Sequence, residues 1–428
     1  MLTKREVLST LARLSDLPLW LAGGVGVDFH HGRWTRDHHD IDLAAFAEDR
    51  GLLESALRTR GFELTRDRGW ITNWTGGMSL AFLERVDATT GEIVVRDSSD
   101  GVVPGIYPCV PGNLDRTRRR TLEGVEFPIV SADDEWVYTM GFRAFRPGAA
   151  TRDARDRRLL EAEIDDIDRL RPLVARRRPL ARTGQVVARP FAGEADLIAI
   201  QRLASDRWPA GHHPGGLAWS VTTNQVPDLR LSEDGDELVD FTWPGEGVER
   251  SSTTPLAAVM RRAATDDVPA PPAGYQVRAV DADELAARVE VHRAAWDPHH
   301  LPWHPDHRPA HPPEARRGHT LEMYEQVRRA WMYDPAVDLV AVAPDTSLAG
   351  CCIAWLDPRT GVAEIEPLGV VPAHRRRGVA QALCHEATRR VAQAGGRELI
   401  VGQWPDPAYP APAGAARKAG FDLVRHPA

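Results

Sequence analysis

A chain of 428 residues is long enough for two to four domains at roughly 100–200 residues each. Its 43% hydrophobic and 27% charged residues can fill several cores, and a net charge of −8 excludes the strongly basic footprint of a general nucleic-acid binder. Lysine is confined to Lys4 and Lys418, so nearly all positive charge is arginine, a side chain that forks well onto phosphate.

In chain order, Thr3-x-x-Glu6 forms a capping box before an amphipathic helix carrying Val7, Leu8, Leu11 and Leu14. No leader or spanning run follows, so a cytoplasmic protein without a membrane partner is expected. A strand at Leu19–Ala22 runs into Gly23 and Gly24, and a second strand covers Ile41–Phe46. A helix from about Glu48 and strands near Gly69–Trp74 and Met78–Val86 complete a small α/β layer, and helical periodicity returns over Asp133–Phe145 and Thr151–Leu170. This block, residues 1–173, ends in an Arg- and Pro-rich linker that reaches Gln185.

Beyond the linker the pattern repeats after about 89 residues, as expected of two related α/β units. Val186–Pro190 leads into a helix at Glu194–Leu203, and Tyr275–Ala279 leads into one at Asp283–Ala295. The copies are placed at residues 186–268 and 274–428, joined by Pro269–Gly274. In the second, strands are expected at Leu339–Ala343, Leu348–Leu356, Val362–Val371, Glu398–Val401 and Phe421–Arg425, with a helix from Gly378. The first has strands near Asp228–Leu231 and Glu237–Thr242 and then degrades. Cys109, Cys351, Cys352 and Cys384 lack metal-ligand spacing and read as small buried hydrophobes in a reducing compartment.

The densest chemical signal is Leu368-Gly369-Val370-Val371-Pro372-Ala373-His374-Arg375-Arg376-Arg377-Gly378-Val379-Ala380. A strand ends, a turn rich in backbone donors follows, and a helix begins. Amides of Arg376, Arg377, Gly378, Val379 and Ala380 can converge on a diphosphate, with the helix dipole and the arginines adding positive charge. Glu364 and Glu366 lie on one face of the strand before the turn and are candidates for a base, Glu366 being nearer the turn. The run Trp296–His307, rich in His and Trp, reads as an acceptor-binding loop, a surface loop or, without a zinc spacing, a metal site.

The turn resembles that of the GNAT acetyltransferases, whose Arg/Gln-x-x-Gly-x-Gly/Ala signature matches Arg375, Gly378 and Ala380. The resemblance spans Tyr275 to the end and includes the closing Lys418-Ala419-Gly420-Phe421. It implies acetyl-CoA as acyl donor, a pantetheine arm bonded to the backbones of Gly369, Val370 and Val371, and an amine acceptor attacking the thioester. A tyrosine acid four residues before the closing Gly is replaced by Ala416, leaving Tyr409 as a substitute. Gly211–Trp219 looks like a segment of degenerate first halves in tandem GNAT proteins, which implies a packing partner without coenzyme.

At the other end, Leu21-Ala22-Gly23-Gly24-Val25-Gly26-Val27-Asp28 is followed by Thr35-Arg36-Asp37-His38-His39-Asp40-Ile41-Asp42. Asp40 and Asp42, two apart on a strand, point their carboxylates the same way and suit Mg²⁺ with nucleotide phosphates. Gly23 and Gly24, opening a helix after a strand, can cradle a triphosphate. The ensemble resembles the aminoglycoside and lincosamide nucleotidyltransferases over Met1–Leu170. That implies Asp40 and Asp42 as metal ligands, Gly23 and Gly24 as the phosphate loop, and Arg36, His38 and Asp28 as further motif positions. The family's third carboxylate falls where this chain has Ser79, Leu80 and Ala81, with Glu84 as the replacement.

The fold class expected is α/β (α+β): a nucleotidyltransferase fold followed by two GNAT folds. The function expected is acetyl-CoA-dependent N-acetylation of a small, aminoglycoside-like amine, of the antibiotic-resistance kind, with a Mg²⁺- and ATP- or other NTP-dependent nucleotidyltransferase half. Two alternatives stay open: nucleotidyl transfer as the main activity beside a structural GNAT half, and a nucleotide or coenzyme sensor without turnover.

Overall fold

The computed structural model describes residues 1–86, 92–95, 105–107, 118–141, 154–174, 184–223, 228–234, 237–244, 249–252, 258–296, 319–402 and 411–425. It is a mixed α/β protein of two compact units, Met1–Arg146 with Arg152–Arg182, and Pro147–Thr151 with Thr183–Ala428. No helix of the described residues is long and apolar enough to cross a membrane.

The first unit opens as the capping box dictates. Thr3 N donates to Glu6 Oε2 at 2.8 Å, Glu6 N donates to Thr3 Oγ1 at 3.4 Å, and α1 runs Lys4–Ala12 with Val7 and Leu11 fully buried. Strand β1 (Trp20–Ala22) turns at once into α2 (Gly23–His31). Strand β2 (Ile41–Phe46) and α3 (Arg50–Thr59) follow, then β3 (Leu64–Asp67), β4 (Ile71–Trp74) and β5 (Met78–Arg85). The sheet order is β1-β2-β5-β4-β3, with β2 and β5 parallel and Asp42 registered between Ala22 and Ser79. Strand β3 is an addition to the elements read from the sequence, because its pattern is nearly all exposed and shows no apolar alternation. Two short strands, β6 (Ile93–Val95) and β7 (Gly105–Tyr107), extend β5, and β8 (Arg119–Leu122) and β9 (Val125–Pro128) form a hairpin. Helices α4 (Ala132–Gly141) and α5 (Ala154–Glu161) bury Trp136, Val137, Met140 and Leu160 with Val27 of α2.

The second unit holds two sheets. Strand β10 (Val186–Pro190), α6 (Glu194–Arg207) and α7 (Pro214–Thr222) precede β11 (Arg230–Asp234), β12 (Glu237–Pro244) and β13 (Glu249–Ser251), which pair in sequence order with β10. Strand β14 (Ala258–Ala263) leaves that sheet. It enters the other one, ordered β15-β16-β17-β18-β19-β14-β20, between β19 (Glu398–Gly402) and β20 (Asp422–Arg425). The remaining members are β15 (Gln276–Ala279), β16 (Asp338–Val342), β17 (Leu348–Asp357) and β18 (Val362–Val370). Helices α8 (Leu285–Ala295), α9 (Leu321–Val327), α10 (Val379–Gln393) and α11 (Ala411–Lys418) complete the unit. Apolar alternation cannot tell which sheet a strand joins, which is why β14 falls inside the stretch read as the first copy.

The three described cysteines, Cys351, Cys352 and Cys384, are free and fully buried, while Cys109 lies outside the described residues. Met260 of β14 is also fully buried, in one core with Leu339, Leu399 and Val401. Met260→Ala is therefore expected to cost the second unit about 2–5 kcal/mol, seen as a lowered denaturant midpoint for that unit with the first unit's transition unmoved.

Candidate functional site

In the second unit the key geometry belongs to β18. It pairs in parallel with β19 through Val362, Ala363 and Glu364 and no further, and among the described residues no strand follows Glu366–Val370 on that side. On the other side it stays on β17 with a bulge between Cys352 and Ala354, and Val371 N donates to Ala349 O at 3.0 Å. Because backbone groups alternate along a strand, Gly369 and Val371 turn theirs to β17, and Leu368 and Val370 turn theirs to the open side. Of Gly369, Val370 and Val371, only Val370 therefore turns its backbone groups to the open side, together with Leu368. Gly369 has another task. A Cβ there would collide with the Trp296 ring at the end of α8, so only glycine lets that ring lie on the strand.

The turn after β18 ends in Gly378, the N-cap of α10, at φ +82°, a left-handed value that L side chains with a Cβ resist. The first amides of α10 have no carbonyl one turn behind them, and the exposed Arg376 and Arg377 flank them. Arg375 departs from expectation. Its Nε donates to Val370 O and one terminal nitrogen to Ala295 O, both at 3.1 Å, so it straps β18 to the end of α8. Tyr275 and His374 meet at 3.0 Å on the same turn. Val379 is buried in the core, leaving its amide as the part of it that can serve a ligand.

The two candidate bases part company. Glu364 is 6% exposed, accepts Gly216 N at 2.8 Å and lies 3.5 Å from His213 Nδ1. It caps the start of α7, and a carboxylate engaged in that way is not a base for substrate. His213 holds the same joint: its Nδ1 accepts Gly215 N at 3.1 Å, leaving Nε2–H to donate to Val362 O at 3.2 Å. A Cβ on Gly215 would strike Trp355, and one on Gly216 would strike Glu364, so the glycine pair permits this docking. Glu366 is half-buried, and burial first, with the nearby Glu364 second, pushes its carboxyl up to about 8. The expected acceptor loop from Asp297 to His307, and Tyr409, lie outside the described residues.

In the first unit Asp42 is partly buried beside the start of α2. Gly23 has φ +64°, and a Cβ there would collide with Asp42 Oδ2. Asp40 is exposed just before the strand. Arg36 flanks Gly24 and donates to Asp156 Oδ2 at 2.7 Å. His38 is 2% exposed and bound through Nε2 to the fully buried Asp28 at 2.8 Å, and its other ring nitrogen lies against Gly24. Glu84 does not join the pair. Asp42 registers with Ser79, five residues earlier, and the odd offset puts Glu84 on the opposite face, roughly 17 Å along the strand. Ser79 itself accepts from Asn73 Nδ2 at 3.2 Å.

A carboxylate that the motif reading missed does reach the loop: Glu135 of α4, 2% exposed, accepts Gly23 N at 3.0 Å. Its only sequence signal was an acidic helix start, which is common. Among the described residues no three His, Cys, Asp or Glu side chains gather as a metal-holding group. Asp40 and Asp42 alone still fit Mg²⁺, which takes one or two carboxylates and fills its other positions with phosphate oxygens and water. A separate cleft of about 510 Å³, lined by His30, Arg118, Arg120, Asp133, Glu163 and Arg169, includes His30 near the far end of α2 from Gly23.

Comparison with known proteins bears on both units. Residues 5–158 match the family model for aminoglycoside-2''-adenylyltransferase, and residues 289–421 match the acetyltransferase (GNAT) family. A 2''-aminoglycoside nucleotidyltransferase of Klebsiella pneumoniae is 44% identical over 52 residues, which is 12% of this chain and 29% of that protein. The chain thus matches less than a third of that relative's length. A GCN5-related N-acetyltransferase from Sphaerobacter thermophilus aligns at 18% identity and TM-score 0.33, over 57% of this chain and 94% of its own. ANT(2'')-Ia in complex with adenylyl-2''-tobramycin aligns at 20% and 0.30, over 40% and 96%. The chain carries an aminoglycoside-2''-adenylyltransferase family domain at its N-terminal end and a GNAT family domain at its C-terminal end, two transferase families in one polypeptide.

Proposed function

We propose that the C-terminal domain passes an acetyl group from acetyl-CoA to an amine of a small, aminoglycoside-like molecule, and that the N-terminal domain serves nucleotidyl transfer from ATP or another NTP to the same class of acceptor. One observation carries the first part: a strand edge that no described residue pairs over Glu366–Val370 leads directly into a helix start with no side-chain cap among the described residues. Bound acetyl-CoA supplies the thioester. Leu368 and Val370 offer backbone bonds to an extended arm, and the amides from Arg376 to Ala380, with Arg376 and Arg377, suit its pyrophosphate. Glu366, on the face that meets α7 and α8, is the group placed to take the ammonium proton. The residues 186–268 serve as a degenerate GNAT copy whose α7 braces the catalytic sheet. The aminoglycoside assignment rests on the N-terminal family match.

Gly378→Val puts a β-branched side chain at φ +82° and a Cβ 3.0 Å from Pro272 Cγ. It is expected to weaken acetyl-CoA binding by about ten- to a hundredfold in calorimetry; unchanged affinity would move the coenzyme elsewhere.

A base with its carboxyl raised to about 8 must lose a proton to work, so kcat/KM should rise with pH through about 8. Glu366→Gln should flatten that limb and lower the rate about a hundredfold or more. Stability carries the opposite sign. The folded state holds the Glu366 proton between the ordinary 4.5 and about 8, so this group's contribution falls as pH rises through that window. The thermal midpoint of Glu366→Gln should therefore overtake the wild type increasingly from about pH 5 to about pH 9.

For the N-terminal domain, Asp42→Asn should abolish Mg²⁺-dependent ATP binding in calorimetry. Nucleotide binding without transfer to any aminoglycoside is the second reading, favoured by Ser79 standing in register with Asp42 where a third carboxylate belongs.

A further inference from the structure

The second unit holds a buried cluster of polar side chains, a chamber only in the sense that several of their nitrogens meet no partner, that the acyl-transfer site does not use. Arg288 of α8 is fully buried, and its Nε donates to Asp338 Oδ1 at a long 3.3 Å. Asp338 is better served by two phenols, Tyr324 at 2.5 Å and Tyr333 at 3.0 Å. Both terminal nitrogens of Arg288 have no hydrogen-bond partner. Beside them lie His292, 9% exposed, and His319, 5% exposed, with ring centroids 4.5 Å apart. His292 Nδ1 and both nitrogens of His319 are likewise buried without partners. Trp219 of α7 walls the chamber at 5.3 Å from His292 and 5.0 Å from His319, and Tyr324 lies 5.7 Å from His319.

Five unpartnered buried nitrogens in one place are costly unless something fills them. Water can serve a neutral imidazole, but the guanidinium presents a charged fork whose counter-ion is shared with two tyrosines. A cation is excluded beside that fork. A planar monoanion matches it: two oxygens meet two parallel N–H donors. The chamber also adjoins the open strand. Trp296 stacks on His292 at 4.5 Å and 18°, lies over Gly369, and at 36% exposure is the wall that reaches solvent.

We propose that this chamber binds a carboxylate, held end-on by Arg288 and from the side by His292 and His319. The carboxylate belongs either to the acceptor, which would then bear both an amine and a carboxylate and so differ from an aminoglycoside, or to a separate small acid. The acceptor source rests on the acyl-transfer reading, and the binding itself does not.

The test titrates sodium formate into the intact chain, with sodium chloride at equal ionic strength as control, and follows the thermal midpoint and the histidine imidazole NMR signals. A saturable formate effect absent with chloride is expected. Arg288→Gln should weaken it about ten- to a hundredfold. That variant leaves Asp338 without its cation and can unfold, so His319→Phe is measured beside it; it keeps the ring packing, leaves Arg288 and Asp338 paired, and should also weaken formate. In parallel, acetyl transfer is measured to matched amines with and without a carboxylate. A higher KM for the amine lacking it, erased by His319→Phe, assigns the site to the acceptor, and equal KM values assign it to a free acid. Formate binding without acetyl transfer to any amine sustains the chamber and defeats the acyl-transfer reading. A wild type that responds to formate no more than to chloride overturns the proposal and leaves a chamber holding water only.

Discussion

Everything in the second unit turns on β18 having two neighbours for three residues and one neighbour after that. A strand that parts from its neighbour in mid-sheet exposes unpaired N–H and C=O groups, which must be met by water or by a ligand. Nothing fills the gap from within the described residues. What does happen is that the strand is held from other directions: by β17, by Arg375 bonded to Val370 O, and by Trp296 seated on Gly369. The opening is thus braced on its rim.

The same few residues explain how the sheet of β10 to β13 and its helices are held to the rest of the second unit. Glu364 is the last residue of β18 paired with β19, and its carboxylate accepts the amide of Gly216 at the start of α7. A buried carboxylate at a helix start is stabilised by the amides it accepts and by the helix dipole. The charge on Glu364 helps hold up the carboxyl of Glu366 two residues on. Burial is the larger cause of that rise, and the carboxylate held against α7 adds to it. Strand β14 ties the two sheets a second time, since its fully buried Val259 and Met260 complete the core between β19 and β20.

What the sequence made legible was local. The turn from Gly369 to Ala380 and the Gly23–Asp42 ensemble could be read because a strand end, a glycine and a helix start are all written within a dozen or so residues. Relations set by register were not legible. Glu84 looked like a spare carboxylate, yet whether it faces Asp42 depends on how β5 slides against β2, and one residue of offset decides the face. Glu364 and Glu366 share a face and a residue type, and only the arrival of α7 separates a capping carboxylate from an unengaged one. Arg375 carries the motif's conserved-looking charge but spends it on two carbonyls. The Arg288 chamber gathers residues from three helices and one strand, with no spacing a one-dimensional search could find.

The two helix starts also differ in a way that bears on their ligands. At α10 the first amides face outward among exposed arginines, so a diphosphate meets donors and positive charge with nothing to displace. At α2 the first amide already belongs to the buried carboxylate of Glu135, and Asp42 crowds the same glycine. A triphosphate approaching Gly23 meets the carboxyl groups of Asp42 and Glu135, and Arg36, which lies beside Gly24, is partly committed to Asp156. Bare nucleotide should be repelled there, and only a divalent cation bridging phosphate to carboxylate reverses the sign. On the functions proposed above, coenzyme binding in the C-terminal domain would be independent of metal, while nucleotide binding in the N-terminal domain would require it.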